Sequence, residues 1–437
     1  MSRPIAQSDS GWQPTAVYAR ALLGGLIVAV VGVLARRADL VVLATPLLVS
    51  AVWARLRRPG AALLVRQSIG HTVLREGQST RWHVTVDDAE GLVDDVALTM
   101  RPALWSEFDP DGGEGVVSLH DDGVEPLEIS IRSLRWGRRS TGPALVVASS
   151  AWAAFRYESR NEAETRAVIT LPAPSAFDAA APPVRSPGLV GASRSPRHGD
   201  GMEFATIRPF QPGDRLRRIH WRQSLRAGTL HVAASWADHD RHVVLLLDAL
   251  EDVGESGGVF GAASSLDITV RAASAVAEHH IGVGDRVAMV QIGARGVQRM
   301  PPATGRRHLR RMLDVMASLE PTTSLIDDGR MLRGLGQGAL VVMLSPLVSP
   351  FAFQRAVRIA GHGFTIVVVD CLPADIASED PDDPFVGLAW RIELLQRERA
   401  IRRLRESGIA IVPWRGPGSL DTVLRDLHRQ QGTRVRR

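Results

Sequence analysis

The side chains best suited to chemistry lie in one dense stretch, residues 201–232, which reads GMEFATIRPFQPGDRLRRIHWRQSLRAGTLHV. Eight arginines fall between positions 194 and 226, against three carboxylates, Asp200, Glu203 and Asp214. Guanidinium groups at this density can bind phosphate or a carboxylate surface, or they can pair with carboxylates of the same chain. The stretch could therefore be a catalytic loop, a nucleic-acid-binding site or a structural connection between two domains.

The part that reads FQPGDR is typical of a turn followed by a helix. Pro212 fixes its own φ, and Gly213 permits a positive φ. Asp214 has the type of side chain that caps a helix, so a helix is predicted to begin at Arg215. The following GTLHVAASW predicts a strand that enters the next domain.

The apolar residues of this predicted helix, Leu216, Ile219 and Trp221, are expected to face a core. A nucleic-acid-binding site of this kind needs aromatic side chains that stack on bases. Phe204, Phe210 and Trp221 are available, but their apolar neighbours favour core packing. We therefore favour internal arginine–carboxylate pairs that brace a linker against the next domain. Binding to an anionic protein surface is the second interpretation, and nucleic acid is disfavoured.

Composition places the chain among folded proteins of two or three units. It has 437 residues, of which 45% are hydrophobic and 23% charged. All 52 basic residues are arginines, and the net charge of +5 permits an anionic partner without requiring one. A single cysteine, Cys371, excludes a disulfide framework, and the sequence indicates no base that would make it a nucleophile.

Two apolar runs near the start predict a membrane hairpin, at residues 17–35 and 40–53. The second run directly behind the first argues against a cleaved signal peptide; a buried soluble hairpin is the alternative. Six arginines flank the pair and two lie in its turn, which predicts that both ends face the cytoplasm. The expected location is the bacterial cell membrane, with two passes and cytoplasmic soluble domains.

The remaining chain divides by its patterning. Residues 61–170 contain short runs in which apolar and polar residues alternate, separated by Gly, Asp and Pro. This pattern predicts a β-sandwich of immunoglobulin-like type. Residues 171–201 are rich in Pro, Ala, Ser and Gly, which predicts a linker. After residue 241, apolar strands alternate with helices, which predicts a doubly wound α/β sheet with sites at the carboxyl ends of its strands. Helices are predicted over residues 264–280, 306–318, 351–360, 388–406 and 419–430.

The dense stretch resembles the signature of the bacterial family called domain of unknown function 58. That signature combines a glycine-x-glutamate-phenylalanine start, a proline-glycine-aspartate turn, spaced arginines, and a triplet that ends in tryptophan. The matching residues are Gly201, Glu203, Phe204, Arg208, Pro212, Gly213, Asp214, Arg218, Ile219, His220, Trp221, Arg226 and Gly228.

The resemblance extends beyond this segment. Family members have two membrane helices, a β-rich region, the signature and a domain like von Willebrand factor A. The runs RWGRRSTGP and SSAWAAF stand where the family has a basic turn and the strand after it. The resemblance implies partners: a MoxR-type AAA+ ATPase and transglutaminase-like membrane proteins. The biochemical role of such proteins is not established.

A von Willebrand A-like domain commonly holds Mg²⁺ through an aspartate-x-serine-x-serine loop, so the resemblance allows this ion as a cofactor. Asp248 ends the first predicted strand and fits the aspartate, but neither serine follows it. Asp252 could compensate, Thr322 or Thr323 could supply the threonine, and Ser345 stands where a later aspartate is expected. We favour a site degraded to a structural role, with Asp248 capping a helix or closing a loop.

These arguments predict a multidomain chain with a transmembrane helical hairpin, an immunoglobulin-like β-sandwich and a doubly wound, von Willebrand A-like α/β domain. The predicted boundaries are 1–58 for the hairpin, 59–170 for the sandwich, 171–200 for the linker, 201–240 for the signature segment, and 241–437 for the α/β domain with its basic tail. The expected function is a non-enzymatic adaptor or assembly factor that works with the ATPase. The alternatives are a metal-dependent hydrolase using Asp248 and Asp252, or a ligand-binding domain using the same von Willebrand A-like site, and an arginine-rich nucleic-acid binder.

Overall fold

The chain divides into two compact units, Met1–Leu171 and Pro172–Arg437. The structure, a computed structural model, describes residues 11–118, 127–159, 165–174, 198–211, 214, 216–236, 242–292, 299–321, 339–374, 376 and 384–416. The predicted helix over residues 419–430, and Thr322 and Thr323, lie outside the described residues.

The first unit opens with a helical hairpin, α1 (Ala16–Leu34) and α2 (Ala38–Leu56). The helices approach closely where α1 has glycine: a Cβ at Gly25 would lie 3.0 Å from Leu48, and one at Gly32 would lie 2.9 Å from Val41. Both helices are long and apolar enough to cross a membrane, with only 11% and 17% of their spans buried. The two predicted apolar helices are thus confirmed, while their orientation across a membrane stays a prediction.

The rest of the first unit is β-structure. Its strands are β1 (Gln13–Pro14), β2 (Leu64–Ile69), β3 (Val73–Arg75), β4 (Ser79–Asp87), β5 (Val93–Thr99), β6 (Ser106–Asp109), β7 (Glu114–Ser118), β8 (Leu127–Ser133), β9 (Gly137–Thr141), β10 (Leu145–Ser150), β11 (Phe155–Ser159) and β12 (Arg166–Leu171). They form sheets in the orders β1-β11-β10-β5-β7, β2-β4-β8-β6 and β3-β12-β9.

The first two of these sheets enclose one hydrophobic core. Trp82 and Ile129 enter it from the four-stranded sheet, and Val96 and Tyr157 enter it from the five-stranded sheet. Buried and exposed residues alternate along β4 and β8, as expected when one face of a sheet is covered. The predicted β-rich region is present, and its immunoglobulin-like type stays a prediction.

The hairpin ends are part of this same core. Trp12 and Ala54 are buried within it, and Tyr18 and Trp53 pack against it. Strand β1, directly before α1, pairs with β11. Hairpin and β-sheets are therefore joined by packing as well as by the chain.

The second unit begins with an antiparallel pair of strands and continues as an α/β sheet. Its strands are β13 (His198–Pro209), β14 (His231–Trp236), β15 (His242–Asp248), β16 (Arg286–Ile292), β17 (Arg299–Ala303), β18 (Leu340–Ser345), β19 (Thr365–Asp370) and β20 (Ala410–Pro413). Its helices are α3 (Trp221–Ala227), α4 (Ser265–Gly282), α5 (Arg306–Met316), α6 (Pro350–Gly361) and α7 (Pro384–Glu406).

The α/β sheet has the order β17-β16-β15-β18-β19-β20. All neighbours are parallel except β17, which pairs antiparallel with β16. Chain order reverses between β15 and β18, so the carboxyl ends of these two strands flank the switch point where doubly wound sheets place their sites. Four of the predicted helices are confirmed as α4, α5, α6 and α7. The antiparallel β17 was not predicted.

Strand β13 begins within the segment predicted to be a linker. His198 pairs with Trp236, and Gly199 pairs with Ser235, across a register that shifts further along the pair. Backbone pairing with β14 thus orders residues whose composition alone indicates a loop.

Candidate functional site

The family-like stretch forms a β-hairpin whose connection carries a short helix. Arg208 in β13 lies opposite Val232 in β14. Between the strands come a 3-10 turn over Leu216–Arg218 and then helix α3. Ile219 forms an isolated antiparallel bridge with Val232, which folds the connection back onto the strand.

A bidentate ion pair closes the turn after β13. Arg208 Nη1 donates to Asp214 Oδ2 over 2.8 Å, and its Nη2 donates to Oδ1 over 2.7 Å. The backbone N–H of Gln211 also donates to Asp214, over 2.8 Å. The Arg208 hydrogen bonds, followed by that of Gln211, lower the pKa of Asp214, and the pair raises the pKa of Arg208. Both side chains are partly exposed, so the pair orders the turn more than it stabilises the fold.

The predicted α-helix that starts at Arg215 is wrong, because Leu216–Arg218 form a 3-10 turn, and the carboxylate of Asp214 bonds Arg208 and Gln211. Helix α3 starts at Trp221, and its N-cap is His220, whose Nδ1 accepts from the N–H of Gln223 over 3.2 Å. The helix ends at Gly228, whose φ of +68° is a left-handed conformation that glycine adopts without strain. These roles explain a histidine and a glycine of the signature.

The predicted burial of Leu216 and Trp221 is also wrong. Leu216 is 69% exposed and Trp221 is 64% exposed. The residue of α3 that faces the protein is Ser224, which is buried and accepts from the N–H of His231 over 2.8 Å. Because α3 packs on β14 through this small polar residue, Trp221 and Leu225, one turn apart, point outward.

This arrangement produces an apolar and basic surface, here called the signature face. Leu225 is 83% exposed and Leu230 is 46% exposed, beside the exposed Leu216 and Trp221. The signature face consists of Leu216, Trp221, Arg222, Leu225, Arg226 and Leu230, all exposed.

The other signature residues are placed as follows. Arg218 is half-buried in the 3-10 turn, and Phe210, which is not a signature residue, is half-buried directly after β13. Gly201, Glu203 and Phe204 lie in β13. The side chains of Glu203 and Phe204, and the residues Pro212 and Gly213, lie outside what the structure describes.

A second candidate lies at the switch point of the α/β sheet. Ser345 at the end of β18 donates its hydroxyl to Asp248 Oδ2 at the end of β15, over 2.5 Å. Asp248 Oδ1 accepts from the N–H of Leu250 over 3.1 Å, and the Ser345 hydroxyl accepts from the N–H of Leu347 over 2.9 Å. Burial is the main cause that raises the pKa of Asp248, against the opposing effect of these bonds. The pair closes two loops across the strand ends.

Asp252 belongs to a different set of hydrogen bonds. It accepts from the hydroxyls of Ser264 and Ser265, over 3.1 Å and 3.3 Å, and from the N–H of Leu266 over 2.9 Å. Ser264 also forms a capping box with Asp267. Asp252 thus holds the start of α4. The two serines were not predicted, although serine followed three residues later by aspartate is a helix-start signal in the sequence.

In the described residues, Asp248 and Asp252 belong to separate hydrogen-bond networks. Both oxygens of each carboxylate accept hydrogen bonds from the protein, and the two carboxylates have separate partners. Among the residues that the structure describes, no group of three or more His, Cys, Asp or Glu side chains could hold a metal ion. The structural role that we favoured for Asp248 is compatible with these bonds and stays a prediction.

Cys371, next to this network, is expected to be chemically inert in the native protein. It is fully buried, and burial raises the pKa of its thiol far above the usual range, so the reactive thiolate does not form. A thiol reagent such as Ellman's should detect no cysteine in the native chain at mildly alkaline pH and one in the unfolded chain. Rapid reaction of the native chain would contradict this placement.

The fold and these two sites define a two-unit protein with apolar N-terminal helices, a β-rich unit, and an α/β unit that carries the arginine-rich signature. Residues 206–388 match the family model described as "Protein of unknown function DUF58", which confirms the resemblance predicted from the signature. Uncharacterized proteins of Mycobacterium tuberculosis and Mycobacterium bovis are each 26% identical over 196 residues, which cover 42% of this chain. The chain spans 60% of the length of these curated relatives.

Proposed function

We propose that this chain is a membrane-anchored, non-enzymatic adaptor or assembly factor. It would work with an AAA+ ATPase of the MoxR type in maturation of the cell envelope or of protein complexes. The observation that carries the proposal is the signature face, since Leu216 and Trp221 are exposed where core packing was expected. Large apolar side chains held at the surface by a defined hairpin are typical of a docking site.

The chemistry of the signature face fits a protein partner. Tryptophan and arginine are the side chains most often found at the energetic centre of protein interfaces. No Asp or Glu occurs between positions 215 and 236, so Arg222 and Arg226 are the charged residues of the face. A complementary surface would have an apolar centre and an acidic rim. The Arg208–Asp214 pair supports the face by fixing the turn that leads into it.

The state of the switch point supports a non-enzymatic role. An acid or base catalyst must reach its substrate through a hydrogen bond. Asp248 is only 2% exposed, and both of its oxygens already accept bonds. The sheet order supports the doubly wound, von Willebrand A-like type that we propose for this unit.

The N-terminal hairpin supports anchoring in the bacterial cell membrane. Two apolar helices near the N-terminus have the length required for a span. The arginine distribution favours a cytoplasmic location for both hairpin ends and for the two units that follow. A cytoplasmic signature face would be accessible to an ATPase, and transglutaminase-like membrane proteins could share the membrane as further partners.

A crosslinked pull-down from detergent-solubilised native membranes tests the adaptor function. The full chain should recover an AAA+ ATPase, and a Trp221→Ala, Leu225→Ala variant should recover at least about tenfold less, as expected when an interface loses its central aromatic. Phe260→Ala is a matched control, because Phe260 is 74% exposed elsewhere in the same unit. If the Trp221→Ala, Leu225→Ala variant and the Phe260→Ala variant recovered equal amounts of the ATPase, the signature face would not be part of the interface. Recovery of no ATPase by any form of the chain would contradict the proposed function.

The same purified chain separates the alternatives. The exposed Trp221 supplies a stacking surface that core packing would have denied to nucleic acid. If binding of single-stranded DNA fell steeply with salt and required Trp221, the nucleic-acid function would replace the adaptor. A hydrolase function would instead need an activity that is lost on Asp248→Asn.

A further inference from the structure

The turn between β10 and β11 has a strained backbone. Ala151, Trp152 and Ala153 have φ values of 53°, 55° and 61°, all in the left-handed region. Residues with a Cβ rarely adopt this region, and three in succession persist only where the surrounding structure holds them. The turn is therefore maintained by contacts, and those contacts identify what it positions.

Hydrogen bonds fasten the turn to the hairpin base. The N–H of Trp152 donates to Asp94 Oδ2 over 2.7 Å. The hydroxyl of Thr15 donates to the carbonyl of Ala153 over 2.7 Å, and the N–H of Thr15 donates to Ala154 O over 2.9 Å. Thr15 is also the N-cap of α1. The turn and the start of the first apolar helix thus form one hydrogen-bonded structure.

The strained turn presents a tryptophan outside the core. Trp152 is 73% exposed, and its ring stacks on Trp53 with the centroids 4.4 Å apart and the planes at 28°. Trp53 lies in the last turn of α2, and the guanidinium of Arg57 lies 5.4 Å from its ring centroid. The strain therefore serves to hold an exposed indole beside the end of an apolar helix.

The surroundings of Trp152 match the edge of a membrane. Tyr18 and Trp53 lie near the same ends of α1 and α2, with the exposed Arg55 beside them. Tryptophan, tyrosine and arginine at helix ends are characteristic of the membrane–water interface. Asp94 is the acidic group next to the turn, and it accepts the backbone bond of Trp152.

We propose that Trp152 inserts into the lipid headgroup layer of the membrane that the hairpin crosses. The inference rests on the proposed membrane anchoring and adds a contact of the β-rich unit with the bilayer surface. Because the ring is stacked on Trp53, it lies at the depth of the helix ends, where an indole is favoured. The β-rich unit would then be held at a fixed orientation on the lipid surface.

A fluorescent label tests the contact in the full chain. A Trp152→Cys variant would carry an environment-sensitive dye, in vesicles of phosphatidylcholine and phosphatidylglycerol, while the buried Cys371 stays unlabelled. We expect the emission of the dye to shift to the blue when the chain is in vesicles. A lipid quencher near the headgroup should reduce this emission more than a quencher deep in the acyl chains. The Ala153→Cys variant keeps the indole of Trp152, and a dye at this position should also be quenched more by the headgroup quencher than by the deep one.

Two control positions make the outcomes distinguishable. Leu104→Cys lies beyond the end of β5 that is opposite the Trp152 turn and is matched in exposure at 76%, so its dye should be unaffected. Leu43→Cys in α2 should respond most to the deep quencher. A response at Leu43 without one at Trp152 or Ala153, or equal responses at Trp152 and Leu104, would overturn this inference alone. No response at Leu43 would overturn the membrane anchoring and the inference with it.

Discussion

An Asp248→Ala variant is expected to lose about 3 kcal/mol of unfolding free energy in the α/β unit. Asp248 is buried, and its carboxyl accepts from the Ser345 hydroxyl over 2.5 Å and from the Leu250 N–H over 3.1 Å. Alanine would leave both donors buried without an acceptor, and each such group costs roughly 1–3 kcal/mol. Denaturant unfolding of the detergent-solubilised chain, followed by a probe in this unit, would measure the loss.

Asp248→Asn is the matched control, because it retains the shape without the charge. Burial raises the pKa of Asp248 above its ordinary value of 3.8, so just above that pH the folded state holds a proton that the unfolded state has lost. The stability from this residue is therefore complete below the unfolded pKa and falls as pH rises towards the folded pKa. The unfolding free energy of Asp248→Asn, relative to that of the native chain, should be higher near pH 7 than at about pH 4.

The opposite trend would mean that the folded state prefers the carboxylate, as a metal ligand would. In that case MgCl₂ should raise the melting temperature of the native chain and not that of Asp248→Asn. A structural Asp248 predicts no such difference. This pair of measurements decides between the structural role and the hydrolase alternative.

The elements with strong periodicity could be predicted from the sequence. The apolar runs at residues 17–35 and 40–53 form α1 and α2, because an apolar run of that length is typical of a long apolar helix. The strands β15, β18 and β19 are buried on both faces, so their continuous apolar sequences identified them.

Features set by a few contacts could not be predicted. Trp221 was expected in a core because its apolar neighbours favoured core packing, but α3 packs through Ser224 and leaves the indole outside. Asp214 has the type of side chain that caps helices, yet its partner is Arg208, six residues earlier. The left-handed turn at Trp152 contains no glycine or asparagine that would have indicated it.

The RWGRRSTGP run, which resembles the family's basic turn, also became interpretable only from packing. Arg139 donates to the carbonyls of Arg135 and Trp136, over 2.6 Å and 2.9 Å, so this arginine stabilises its own turn. Gly142, the second-last residue of the run, lies against the ring of Trp82. A segment that reads as a basic surface loop is thus fastened to the core of the first unit.

Gly142→Ala is expected to destabilise the first unit by about 3 kcal/mol or more. A Cβ at this position would lie 2.6 Å from Cζ2 and 2.9 Å from Cζ3 of Trp82, and closer still to Cη2. The ring is only 1% exposed, and its Nε1 donates to Gln67 over 3.0 Å, so it has no free direction in which to move. Unfolding of the full chain, followed by tryptophan fluorescence, would show the loss.

Gly112→Ala isolates this steric effect, because both glycines have a φ of +76°. At Gly112 the nearest side-chain atom, Glu114 Cγ, is 4.0 Å from the added Cβ, so alanine there meets only the backbone cost of about 1–2 kcal/mol. The difference between the two variants measures the contact with Trp82. Equal losses would mean that the ring yields and the basic turn is not fixed to the core, so the turn could serve as a second partner surface. A larger loss at Gly142 would assign the turn to structure and leave the signature face as the surface on which the adaptor function depends.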